Sequence, residues 1–137
     1  MRTGHILLVG FAFAAAACGP RESGRTQHLE FEAFTVEEGV YRPKPGWTFT
    51  KGEGGTIVAA RQNSPGVVIT PCECSLTTGG SCDQAERRDP TTDDIREVWC
   101  VDNGCGFCVG GTAEPDDPSS AVRFNVVCIA DRKASAD

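Results

Sequence analysis

Several residue types are scarce in this 137-residue chain. Met1 is the only methionine, Tyr41 the only tyrosine, and Trp47 and Trp99 are the only tryptophans. Large apolar side chains are therefore few, and a domain of this length has little apolar surface to bury. The sequence predicts one small domain that needs stabilisation beyond its apolar core.

Histidine is also scarce, and the common catalytic motifs are missing. Of the two histidines, His5 lies in an apolar N-terminal stretch, which leaves His28 for the domain. One histidine disfavours Ser-His-Asp and Cys-His catalysis and multi-histidine metal sites. The sequence contains no HExxH, P-loop or dinucleotide-binding motif after a strand. We therefore assign no catalytic residue, no cofactor and no metal ligand, and we predict a protein that is not an enzyme.

Cationic patches are absent as well. The formal net charge is −6, and Lys and Arg form no stripe along the chain. Residues 1–17 carry one Arg and no acid, so 12 cationic and 19 anionic side chains remain in the rest. Such a field repels a phosphate backbone, which excludes nucleic acid as an expected partner. Membrane association would have to come from something other than charge.

The N-terminal apolar run is too short to cross a membrane. It covers residues 6–17 and follows Arg2, whereas a spanning helix needs roughly 20 apolar residues. Its length and its small C-terminal residues are typical of a secretory signal peptide, which we place at residues 1–17. Residues 18–27 are polar, with Gly and Pro, and predict a flexible tether.

The end of this signal carries a recognisable pattern. Ala15, Ala16 and Ala17 precede Cys18, which resembles the lipobox of bacterial lipoproteins, although that family usually has Leu where this chain has Ala15. The resemblance covers the signal only. It implies a lipid, such as palmitate, on Cys18, and Gly19 implies delivery to the outer membrane. The alternative is ordinary cleavage after Ala17, which gives a periplasmic or secreted protein.

The remaining sequence favours short strands. Leu29, Phe31 and Ala33 alternate with acidic residues, and residues 47–50, 56–61 and 67–70 form further runs between Gly- or Pro-rich turns. We predict a mainly β fold, a small antiparallel sheet domain over residues 28–130, with at most one short helix and a disordered tail at 131–137. The aromatic residues of these runs are expected in the core: Phe31, Phe34, Trp47 and Phe49.

Three further expectations concern the second half of the domain. Residues 91–99 have a Thr cap, early acids and apolar residues at helical spacing, which predict the short helix. Residues 110–120 are expected to be a loop. Residues 121–130 are expected to be a strand whose core face consists of Val122, Phe124, Val126 and Cys128.

Cysteine is the abundant residue, since six of the eight cysteines fall within residues 72–108. Cys72 and Cys74 follow a strand, and their side chains should share one face, where a bridge between them would be strained. Each therefore needs another partner, and an exported chain favours disulfides. If Cys18 is lipidated, seven cysteines remain, so we expect three bridges and one leftover thiol without naming it. The candidates are Cys72, Cys74, Cys82, Cys100, Cys105, Cys108 and Cys128.

Other chemistry fits some of these cysteines. Cys105 and Cys108 form a C-x-x-C pair typical of redox dithiols. The spacing of Cys100, Cys105 and Cys108, with a distant Cys128, is similar to the ligand spacing of plant-type [2Fe–2S] ferredoxins. A zinc site on a subset of the thiolates is a further alternative, and the paired zinc-ribbon spacing is missing. The acidic stretches near residues 89–94 and 116–117 lack EF-hand spacing and are expected to be solvated loops rather than calcium sites.

These observations lead to two hypotheses. The first is a lipid-anchored protein of the bacterial cell envelope, a non-enzymatic binding or structural module with an envelope protein or a small molecule as an unidentified partner. The second is an exported thiol-redox protein or [2Fe–2S] electron carrier using Cys100, Cys105, Cys108 and Cys128.

Overall fold

The computed structural model describes residues 27–75 and 79–128. These residues form a mainly β domain, which confirms the predicted fold class. A 3₁₀ turn at Glu53–Gly55 is its one helical element. The ten strands are β1 His28–Glu30, β2 Phe34–Glu37, β3 Val40–Pro43, β4 Thr48–Lys51, β5 Ile57–Ala60, β6 Val67–Cys74, β7 Ser81–Arg88, β8 Ile95–Asn103, β9 Cys108–Glu114 and β10 Asp117–Asn125.

All strand pairs are antiparallel, and β8 is the strand at which the sheet divides. β7 pairs with β8 from Ser81↔Asn103 to Arg88↔Ile95 and so occupies one edge of β8. The other edge is shared by β3, through Tyr41↔Val98, and by β4, through Phe49↔Ile95. One branch of the sheet therefore runs β3-β2-β1, and the other runs β4-β5-β6-β9-β10.

The core lies inside this curled sheet. Phe34, Tyr41 and Phe49 are buried, and their rings contact one another, with centroids 6.0 Å apart for Phe34–Tyr41 and 6.4 Å for Phe34–Phe49. Trp47 is also buried, and Phe31 is half-buried against the same cluster. The expectation that these strand aromatics belong to the core is confirmed for Phe34, Trp47 and Phe49 and holds in part for Phe31.

Tyr41 is anchored through its hydroxyl. The Tyr41 Oη donates a hydrogen bond of 2.8 Å to the carbonyl of Pro71, which is also buried. Burial raises the pKa of Tyr41 well above its ordinary value, so the hydroxyl keeps its proton. This contact fixes β3 against β6 across the interior.

The short helix predicted at residues 91–99 is wrong. Asp89 instead accepts backbone hydrogen bonds from Thr91 at 2.7 Å and Thr92 at 3.1 Å, which closes a turn before β8. β8 is then buried on both faces from Glu97 to Cys100. A strand buried on both faces loses its period-two pattern, so the spacing of its apolar residues resembles that of a helix.

Glu97 is a buried acid on β8 with two cationic partners. Its carboxylate accepts from Arg42 on β3 at 2.8 and 2.9 Å and from Arg87 on β7 at 3.2 Å. Both strands flank β8, so the three side chains tie the sheet together across β8. Burial of a carboxylate is tolerated here because both of its oxygens have cationic donors.

The loop predicted at residues 110–120 is also wrong. β9 and β10 form a hairpin there, with Val122 paired to Thr112 and a register shift between Asp117 and Val122. β10 therefore begins earlier than predicted and ends at Asn125. Val122 is 46% exposed, so it is not on the core, while Val126 is buried and Phe124 and Cys128 are half-buried.

The proposed signal peptide at residues 1–17, the lipidation at Cys18 and the tail at 131–137 lie outside the described residues. Of the predicted tether at residues 18–27, only Gln27 belongs to the described residues. Among the described residues, no helix combines the length and the apolar character that a membrane crossing requires.

Candidate binding groove and sulfur cluster

Three disulfides lie wholly within the described residues and connect β6, β7, β8 and β9. Cys72 on β6 is bonded to Cys100 on β8, and Cys74 on β6 to Cys105, just after β8. The third bridge joins Cys82 on β7 to Cys108 on β9. The prediction that Cys72 and Cys74 would bond to other partners than each other is confirmed.

The sulfurs of these bridges form a cluster. The Sγ atoms of Cys74, Cys82 and Cys105 all lie within 4.8 Å of one another. On its other side, Cys108 Sγ is 3.1 Å from the Sγ of Cys128. Cys128 is disulfide-bonded as well, and none of the described cysteines is reduced. The expectation of a leftover thiol is therefore wrong within residues 27–75 and 79–128.

The residues of the ferredoxin-like spacing are dispersed by this pairing. Cys100, Cys105 and Cys108 each belong to a different bridge. The Sγ atoms of Cys105 and Cys108 each lie within 4.8 Å of the Sγ of Cys82. Cys100 belongs to neither of the two groups of possible metal ligands found among the described residues. Because the pairing occupies these sulfurs as disulfides, thiolate ligation of iron or zinc requires prior reduction.

The acidic stretches use their carboxylates within turns. Besides the two backbone N–H groups, Asp89 accepts from Arg96 at 3.0 Å. Arg96 first, and then the N–H groups of Thr91 and Thr92, lower the pKa of Asp89 to about 2. Asp117 likewise accepts from the backbone N–H of Ser119 at 3.1 Å. These contacts fit turn closure.

His28 begins β1 between two carboxylates. Its Nε2 lies 3.2 Å from Glu30 and its Nδ1 lies 3.2 Å from Glu37. Hydrogen bonds to Glu30 and then Glu37 raise the pKa of His28. The ring is exposed, so the arrangement is a surface ion pair on an edge strand.

A groove opens where the two ends of the sheet face each other. β1 pairs with β2 and β10 pairs with β9, and within the described residues neither strand has a second partner. We call the line between them the seam. The seam groove has a volume of about 190 Å³ and is lined by Phe31, Glu32, Ala33, Phe34, Val67, Thr112, Ala113, Glu114, Ser120 and Val122.

A tight bend between β1 and β2 forms one wall of the groove. The Phe31 N–H donates to the Phe34 carbonyl at 2.9 Å, and the Lys44 N–H donates to the Ala33 carbonyl at 3.0 Å. The Phe31 ring stacks on Phe34 with centroids 4.5 Å apart and meets Phe124 of β10 at 5.4 Å. The wall is therefore fixed by backbone bonds and by ring contacts across the seam.

The rim of the groove is acidic. Glu32 is exposed and contacts Arg61 at 3.3 Å, while the Arg61 guanidinium lies 4.6 Å from the centroid of Trp47. Glu114 is exposed on the opposite rim, followed by Asp116 and Asp117 at the hairpin. Sequence reasoning missed Glu32, Glu114 and Val122 as a set. Of these three residues, only Val122 could have been identified from the sequence, because a correct strand register would place this apolar side chain on the solvent side.

One end of the seam is closed by a side chain. The Gln27 amide donates from Nε2 to the carbonyl of Asn125 at 2.6 Å and accepts at Oε1 from the Val127 N–H at 3.4 Å. The Gln27 side-chain amide thus supplies one donor and one acceptor in place of the backbone of a neighbouring strand. Gly39 permits this close approach, since a side chain there would meet the Val127 carbonyl and its φ is +83°.

Comparisons with family models, with curated proteins and with solved structures gave no match to this chain.

Proposed function

We propose that this chain is a non-enzymatic binding module of the bacterial cell envelope, anchored by a lipid on Cys18 and presenting the seam groove to a partner. The observation that carries the binding role is the seam groove, an apolar cleft with an acidic rim. The resemblance of residues 15–18 to a lipobox supports the anchor. The three disulfides support an oxidising compartment, where such bridges persist.

The volume of the groove limits the size of the group that it can bind. Small-molecule sites commonly enclose about 300–1,000 Å³. The seam groove is smaller, at about 190 Å³, and it is partly open to solvent. It is better suited to one or two side chains of a larger partner than to a whole cofactor. We therefore favour an envelope protein over a small molecule as the partner.

The anchor is tested by the intact mass of protein recovered from a bacterial envelope, with alkylation before and after reduction. We expect a diacyl or triacyl increment on a chain that starts at Cys18, with six sulfurs protected in the three bridges until reduction. Cys128 is also oxidised, and acylation of Cys18 leaves no other cysteine in the chain to pair with it. Its disulfide partner would then be a thiol of a second molecule, which adds a mass that reduction removes. A chain without acyl groups and with eight protected sulfurs would show a freely secreted protein and refute the anchor.

A second candidate is an exported thiol-redox protein, favoured by the 3.1 Å distance between the sulfurs of Cys108 and Cys128. An external thiolate would attack Cys82 Sγ and form a mixed disulfide with it. The S–S bond to Cys108 then breaks, and Cys108 leaves as a thiolate beside another disulfide sulfur. The second thiol of a dithiol substrate would then resolve the mixed disulfide and release Cys82 as a thiolate, so one substrate is oxidised for each bridge reduced. Stoichiometric oxidation of such a substrate, abolished by replacing Cys82 and Cys108 together, would support this function. A visible absorption spectrum after reduction and iron loading would instead support the [2Fe–2S] carrier.

A further inference from the structure

We propose that the seam groove binds an extended peptide segment of another protein, in which apolar side chains alternate with Lys or Arg, by adding a strand to the open edge of β10. This inference rests on the proposed binding function and names the chemistry of its partner. Three independent features of the seam carry it.

The first feature is the backbone edge. β10 pairs on one side with β9, and its other side faces the seam, where no described strand pairs with it. An unpaired edge presents N–H and C=O groups that an extended peptide can satisfy. Gln27 already supplies such bonds to Asn125 and Val127 at one end of the seam. The rest of the edge lies beside the groove, where a longer segment can do the same.

The second feature is the apolar floor. Ser120 and Val122 of β10 both line the groove. Val122 is 46% exposed and is the one large apolar side chain exposed among the described residues. Phe31 and Val67 complete the floor from two other parts of the chain. Alternate apolar side chains of an added strand would cover this floor and remove Val122 from water.

The third feature is the charge of the rim. Glu114 lies on the rim beside the β9–β10 turn, with the exposed Asp116 and Asp117 next to it. Glu32 stands on the other rim and is satisfied in part by Arg61. The other side chains of an added strand lie on its opposite face, and long, flexible Lys or Arg side chains there are complementary in charge to the acidic rims. An acidic segment of the same shape would be repelled.

The test uses the full exported protein with its bridges intact and a short capped peptide that alternates Lys and Val. Binding is followed by NMR shifts of backbone amides and by isothermal titration. Two control peptides are used: one alternates Glu and Val, and the other is the Lys/Val peptide N-methylated at alternate residues, which removes half of its backbone donors. We expect shifts in β10 and around Phe31 with the Lys/Val peptide, and binding at least about tenfold weaker for both controls, equivalent to about 1.4 kcal/mol.

Matched variants of the protein locate the binding. Val122→Lys places a cation in the floor, and we expect it to weaken binding at least about tenfold. Glu114→Lys reverses one rim charge, and we expect a loss of about fivefold that shrinks at high salt. Glu53→Lys makes the same charge change in the exposed 3₁₀ turn, which does not line the groove, and its affinity should stay within about twofold of the parent. Val122 and Glu114 are exposed, so these variants should fold.

Equal affinity for the Lys/Val and Glu/Val peptides, or equal binding by Val122→Lys and the parent, would overturn the proposal. Concentration-dependent dimerisation that Val122→Lys abolishes would also overturn it, because the occupant would then be a second copy of this chain. The outcome of the peptide-binding test can be distinguished from the outcome of the test of the lipid anchor. An acylated protein that binds none of the peptides refutes this inference alone, and an unacylated protein that binds the Lys/Val peptide as expected refutes the lipid anchor alone.

Discussion

Replacing Gly110 by Ala should destabilise the domain, although the same change in a strand usually stabilises it. Gly110 lies on β9, and a methyl group there would approach Phe124 Cε1 to 2.6 Å and Val126 Cγ2 to 3.0 Å, with the Tyr41 hydroxyl closer still. The Tyr41 hydroxyl cannot withdraw without losing its 2.8 Å hydrogen bond to the Pro71 carbonyl. Overpacking of this kind costs about 1–3 kcal/mol, and it opposes the gain of about 0.5–1 kcal/mol expected from Gly to Ala in a strand.

The neighbouring residue supplies a matched control. Gly111 lies on the same strand, and the nearest atom to a methyl group there would be the Val122 carbonyl oxygen at 3.4 Å, an ordinary contact. Gly111→Ala should therefore be neutral or slightly stabilising. Both variants are measured by guanidinium unfolding with the bridges intact. Equal stability of the two variants would refute the steric argument.

A double-mutant cycle identifies the obstructing atom. Tyr41→Phe alone should cost about 1–3 kcal/mol, because it leaves the buried Pro71 carbonyl without its donor. In combination with Gly110→Ala it also removes the closest atom to the new methyl group. We expect the double variant to be more stable than the sum of the single effects by about 1 kcal/mol. Additive effects would mean that Phe124, rather than the Tyr41 hydroxyl, limits the space.

Three further predictions concern titration and cross-linking. The pKa of Asp89 is about 2 in the folded protein, so its stabilising effect should be present above about pH 4 and lost as pH falls toward 2. In a pH series of unfolding curves, the free energy of unfolding of Asp89→Asn should therefore depend less on pH in this range than that of the parent. The pKa of His28 is raised by Glu30, so its contribution should be complete below about pH 6.5 and disappear as pH rises through the folded pKa; NMR titration of the ring should give a higher pKa than in Glu30→Gln, and an equal value would contradict the contact. Replacing Cys82 and Cys108 together by Ala removes a bridge that spans 26 residues and should lower the free energy of unfolding by about 3.5 kcal/mol, and an unchanged denaturation midpoint would contradict this.

The sequence was sufficient for the local features of the fold. The Gly-rich segment around Glu53–Gly55 does join two strands, β4 and β5, which pair from Thr48↔Ala60 to Lys51↔Ile57. The two-residue spacing of Cys72 and Cys74 on one strand correctly gave two separate partners. Both inferences depend only on the geometry of a few consecutive residues, which a turn or an extended chain determines locally.

The errors arose where the environment of a strand differs from the usual one. β8 has paired strands on both edges and buried side chains on both faces, so its sequence shows no alternation. Val122 kept the alternation of a core strand and yet is exposed, because β10 is at the end of the sheet and the opposite branch does not cover it. Burial on one face or both is a property of the assembled sheet and is not encoded in a single strand.

The seam groove was beyond sequence reasoning for a related reason. Its walls come from the bend near Phe31, from Val67 at the start of β6 and from the β9–β10 hairpin. These segments are distant along the chain, and they meet only because the sheet curls until its two ends face each other. No motif marks such a site, since its chemistry comes from ordinary Phe, Val and Glu side chains.

The division of the sheet at β8 explains why the bridges are placed where they are. The long branch is joined to β8 by strand pairing only at Phe49↔Ile95. Cys72–Cys100 and Cys74–Cys105 attach β6 of that branch to β8 and the residues after it, and Cys82–Cys108 attaches β9 to β7. Each of these three bridges therefore connects the long branch to the β7–β8 pair, to which strand pairing joins it at one position.

Hydrogen exchange should reveal this division. After gentle reduction of the bridges, we expect amides of β4 and β5 to lose protection first, because a single paired position and packing then hold the long branch to β8. Amides between β7 and β8 should remain protected, since their ladder runs the full length of both strands. A uniform loss of protection across all strands would contradict this argument, because it would mean that the bridges stabilise the domain as one cooperative unit rather than at the junction of two branches.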